Sequence, residues 1–68
     1  MSKELASAVE KLKQEFGEVM VRVIETATVR MGSDEIEWEY RVVVPKCGIL
    51  EIADDLSQVV QKAIDRKA

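Results

Sequence analysis

Histidine is absent from this chain of 68 residues, which has one cysteine, one proline and three aromatic residues. Without histidine there is no Ser-His-Asp or Cys-His catalytic unit, no imidazole metal ligand and no histidine pH switch. The lone Cys47 excludes an internal disulfide and a multi-cysteine zinc site, so the chain is expected to be cytoplasmic, in a reducing compartment. Long apolar runs are also missing. Lys3, Glu4, Glu10, Lys11, Lys13 and Glu15 break up the first sixteen residues, which leaves no signal-peptide core and no span of the ~20 apolar residues a membrane helix needs. No membrane partner is expected. The glycines, Gly17, Gly32 and Gly48, are too scattered for a phosphate-cradling loop, and no cofactor is expected.

What is present is globular in balance, with 47% apolar and 34% charged residues. Ten Lys and Arg against thirteen Asp and Glu give a net charge of −3 and a pI near 4.9, a field that repels nucleic acid. Residues 1–68 read as a single α+β domain. A chain this short buries only ~60% of its unfolded surface, so a homodimer is the expected state.

Leu5, Val9, Leu12 and Phe16 recur at steps of four, three and four, the stripe of an amphipathic helix, with Ser2 as N-cap and Gly17 as the residue that ends it. From Glu18 to Met31 the period becomes two, with Val19, Val21, Val23, Ala27, Val29 and Met31 on one face. Gly-Ser-Asp-Glu at 32–35 is turn chemistry. Ile36, Trp38, Tyr40, Val42 and Val44 then alternate with Glu37, Glu39 and Arg41, so the two runs form a β-hairpin. Pairing Met31 with Ile36 sets Val29 opposite Trp38, Ala27 opposite Tyr40, Val23 opposite Val44 and Arg30 opposite Glu37.

Pro45 and Gly48 end the second strand, and residues 49–52 form a short third strand or an extended approach. Asp54 and Asp55 precede a helical stripe of Leu56, Val59, Val60, Ala63 and Ile64, and Asp55 with Gln58 resembles a capping box. The architecture expected is a two-layer helix, hairpin, short third strand and helix, with both helices on one face of a small antiparallel sheet. This order resembles that of double-stranded-RNA-binding domains and of small interferase toxins. Asp54 and Asp55 stand where RNA-binding members place basic residues, and the histidine of the toxins has no counterpart, so the resemblance implies shared architecture and no functional residue.

Glu25 interrupts the apolar face and is expected as an interior carboxylate. It reads as a charge that guards the strand edge, swung outward by a local bulge or with Lys67 as counter-ion, ahead of a raised-pKa acid or an anchor for a partner's cation. Trp38 and Tyr40 read as core. Glu35, Glu37 and Glu39 share a face as an acidic strip, offset by Arg22, Arg30 and Arg41. Strand residues two apart spread along a line, so a metal site there is not expected. Met20, Ile24 and Val43 break the polar face of the hairpin between Arg22 and Arg41, which reads either as a partner-binding patch or as burial under the chain's own C-terminal segment.

Glu35, Glu37, Glu39, Arg41, Arg22, Ile24 and Val43 are therefore the expected partner-binding residues. The expected function is that of a non-enzymatic protein-interaction module, binding a second copy of itself and another protein as an adaptor, inhibitor or assembly subunit. The alternative is an acidic decoy that occupies the basic groove of a nucleic-acid-binding protein.

Overall fold

The structure, a computed structural model, describes residues 3–67, so the expected N-cap Ser2 lies outside the described residues. Helix α1 (Lys3–Phe16) is followed by strands β1 (Arg22–Val29) and β2 (Ile36–Val44), a 3₁₀ turn (Pro45–Cys47), strand β3 (Ile49–Ala53) and helix α2 (Leu56–Lys67). The strands form an antiparallel sheet in the order β1-β2-β3. The fold is thus the α+β architecture expected, and the third strand is a full member of the sheet.

Local chemistry sets the element ends. Gly17 takes a φ of +73°, and its N–H reaches the Lys13 carbonyl at 2.9 Å, closing α1 with a left-handed cap. Gly48, at φ +66°, donates to the Pro45 carbonyl at 3.2 Å and turns the chain into β3. At the start of α2, Asp55 Oδ1 accepts the Ser57 N–H at 2.8 Å, the Gln58 N–H at 3.2 Å and the Ser57 hydroxyl at 2.6 Å. These bonds satisfy donors that the first helical turn leaves unpaired and hold the Asp55 carboxyl below its ordinary range, the Ser57 hydroxyl contributing most.

One apolar core joins the layers. Ala8 and Leu12 of α1 and Val59, Val60 and Ala63 of α2 pack on Val42, Val44 and Ile49. Val44 pairs with Ile49, so these sheet residues share a face, and both helices lie on it. At the far ends of the helices, Lys67 bonds the Glu15 carbonyl, lies 3.7 Å from the Glu15 carboxylate and sits 5.9 Å from the centre of the Phe16 ring. Lys67 therefore serves α1 and is not the counter-ion of Glu25.

The hairpin register differs from the expected one by two residues: Val29, not Met31, pairs with Ile36, and Val23 pairs with Val42. The reversal is six residues long rather than four. It combines a turn closed by Ser33 N–H to the Arg30 carbonyl at 3.2 Å with a Ser33 hydroxyl that accepts the Glu35 N–H at 3.1 Å. A shift of two preserves every residue's face. The Arg30–Glu37 ion pair also survives, now as diagonal neighbours 3.2 Å apart.

β1 and β2 pair from Arg22↔Val43 to Val29↔Ile36, whereas β3 accompanies β2 only as far as Tyr40↔Ala53. Beyond that rung the hairpin projects as a two-stranded arm. The molecule accordingly measures 43 × 24 × 16 Å, and its radius of gyration is 13.0 Å. A compact chain of this length would have ~11 Å.

Candidate functional site

The sheet face turned away from the helices carries rows fixed by the strand register: Arg22, Val43 and Leu50 in one, Ile24, Arg41 and Ile52 in the next, then Thr26 with Glu39. Ile24, Leu50 and Ile52 are 41%, 55% and 42% exposed, and Val43 is half-buried among them. The C-terminal segment packs on the opposite face, so the burial reading of Ile24 and Val43 is overturned and they belong to an open apolar patch. Leu50 and Ile52 enlarge that patch and are absent from the sequence-based set. The run Ile-Leu-Glu-Ile-Ala has apolar residues on both faces, and only its pairing with β2 decides which of them point outward. The one available signal is that four of its five residues are apolar, as in a strand with two apolar faces.

Arg41 lies at the centre of the patch between Ile24 and Ile52, its guanidinium 3.3 Å from the Glu39 carboxylate. Arg22, at the rim, has no ion-pair partner among the described residues. The acidic strip is less uniform than the alternation implies. Glu37 and Glu39 share the outer face, each paired with an arginine, while Glu35 precedes β2 in the turn. These are exposed pairs of modest energy, but they leave few free carboxylates in a row.

The opposite face of the arm is equally bare. Val29, Ile36 and Trp38 point to the helix side but lie past the ends of the helices, and they are 65%, 51% and 45% exposed. Trp38 is therefore not core, as the alternation led one to expect. Tyr40, one rung nearer the helices, is half-buried and packs against the core. Glu25 corrects the sequence reading in the same way: it sits on the helix-facing side opposite Tyr40, yet it is exposed, because the helix layer stops short of the β1 edge there. Between the arm and the N-terminal ends of both helices is an open cleft of about 700 Å³, with Glu25, Trp38 and Tyr40 as its floor.

Cys47 is a free, exposed thiol. Among the described residues no cluster of histidine, cysteine or acidic side chains is placed to hold a metal ion, and no helix is long and apolar enough to cross a membrane. Comparison with protein-family models, curated proteins and solved structures gives no match to this chain.

Proposed function

We propose that the protein is a non-enzymatic interaction module, an adaptor, inhibitor or assembly subunit that docks another protein on its open sheet face. The observation that carries this reading is the patch of Ile24, Val43, Leu50 and Ile52 around Arg41, on a face that no element among the described residues covers. An apolar centre with an embedded arginine and a charged rim is the composition of a protein interface. The partner this surface fits presents apolar side chains at the centre and a carboxylate positioned for Arg22, which has no ion-pair partner among the described residues. A cytoplasmic setting is part of the reading, as is the lack of any need for a cofactor. The acidic-decoy reading draws less support, because Glu37 and Glu39 are occupied by Arg30 and Arg41.

Native mass spectrometry of the protein isolated gently from its own source tests the reading. A second protein is expected at fixed stoichiometry, and the Ile24→Lys/Ile52→Lys double variant is expected to lose it while keeping its far-ultraviolet circular dichroism. Reversal of charge at Glu37 and Glu39 should leave the complex in place. Retention of the partner by the patch variant, or its loss on reversing only the two glutamates, would sink the patch reading, the latter in favour of the decoy.

A further inference from the structure

We propose that β1 is the seam of a homodimer, in which two copies join edge to edge about a two-fold axis passing through Thr26. The proposal rests on the reading of the chain as an interaction module and names a second copy as the occupant of its β1 edge and of the arm's bare inner face.

The two sheet edges are not equivalent. β3 is five residues long, lies beside α2, and has its Ile52 carbonyl bonded by Lys62 Nζ at 3.4 Å. β1 is eight residues long, contains no proline and carries charge only at Arg22 and Glu25. Among the described residues no side chain meets its free backbone groups. A long edge of this kind is a template for another strand.

Charge and pleat together select the register. Two copies of β1 paired antiparallel must match inner face to inner face, so the axis passes through one residue that meets its own copy. Centring the pairing on Glu25 sets two carboxylates directly opposite one another, which is destabilising. Centring it on Thr26 pairs threonine with threonine, Ile24 with Thr28, Val23 with Val29 and Glu25 with Ala27, and keeps residues 23–29 in register. Glu25 thus discriminates between registers. The result is a six-stranded sheet with all four helices on one face. It sets the arm of each copy beside the body of the other, where Val29 packs against Val23 of that copy and loses contact with water, and it places Ala27, the cross-strand neighbour of Trp38, opposite Glu25 of that copy.

Surface area agrees with this arrangement. The exposed surface is 5130 Å². A compact monomer of 7.7 kDa would expose about 4,300 Å², so the chain exposes about 800 Å² more, shared between the projecting arm and the open outer face, and the standard interface takes about that much from each partner.

Light scattering coupled to size exclusion provides the test. The wild-type chain is expected at twice its monomer mass, and Thr26→Lys and Thr26→Glu are each expected as monomers, since like charges then meet on the axis. An equimolar mixture of the two variants should recover the dimer. Thr26 is exposed, so neither change strains the monomer. A cross-link provides a second readout should separation weaken the fold. In a Cys47→Ser background, Thr26→Cys should form a disulfide-linked dimer on mild oxidation, and Thr28→Cys should not. A monomeric wild type, a Thr26→Lys chain as dimeric as wild type, or equal cross-linking at both positions overturns the seam. Retention of the outer-face partner by a dimeric Ile24→Lys/Ile52→Lys variant refutes the docking reading alone, and retention of that partner by a monomeric wild type refutes the seam alone.

Discussion

Asp55 carries the start of α2 almost alone, accepting two backbone N–H groups and a hydroxyl on one oxygen. The same bonds favour the ionised carboxyl and lower its pKa in the folded chain. The unfolded chain makes no such bonds, so its Asp55 titrates in the ordinary carboxylate range. A depressed folded-state value means that the stabilisation is fully present above the unfolded value and disappears as pH falls through the folded one. Asp55→Ala should therefore melt several degrees below wild type at neutral pH, with the gap narrowing progressively below pH ~4. Thermal melts of both chains across the acid range check this. A gap of constant size down to strong acid would show that the carboxylate's charge contributes nothing to the cap.

At the scale of elements, the helices were the most legible part. A period near 3.6 needs no knowledge of neighbours, and the stripe of Leu56, Val59, Val60, Ala63 and Ile64 faces the core as its spacing implies. The strands were legible by face but not by partner. Alternation specifies which side a residue takes, whereas the register depends on turn length, and this turn, which contains the Ser33 hydroxyl bond, is two residues longer than its composition implies. Burial was the least legible, because period-two patterning does not reveal where the covering layer ends; this is why Trp38 and Glu25 lie in the open. β3 shows the same limit. Its pairing turns Glu51 to the helix side, where Arg66 of α2 meets it at 3.2 Å with the carboxylate side chain only 18% exposed. Removing the cation strands a half-buried charge, while removing the charge replaces it with packing. Arg66→Ala should lower stability by about 1 kcal/mol or less, since the arginine itself is well solvated. Glu51→Leu should be neutral or stabilising. Urea denaturation of the two variants decides the matter, and a loss in Glu51→Leu equal to that in Arg66→Ala would mean the pair itself stabilises β3.

Core and surface are closely balanced: among the described residues eight apolar residues are buried and eight large ones are exposed. A chain of this length has ~3–10 kcal/mol of stability to spend on order, and this one leaves Val29, Ile36 and Trp38 in water on a protruding arm. Association through β1 would move Val29 out of solvent and link folding to concentration, because a dimer that dissociates on unfolding gains stability by mass action. The melting temperature should therefore rise with protein concentration in the wild type and stay constant in Thr26→Lys. Trp38 is the only tryptophan, so its emission reports the arm directly. Dilution should move that emission before secondary structure is lost, as the Glu25 carboxylate of the second copy, set opposite Ala27 beside the indole, departs. Concentration-independent melting, or an emission maximum that does not move on dilution through the dissociation range, would mean that the arm stands free and that the excess surface serves a different partner.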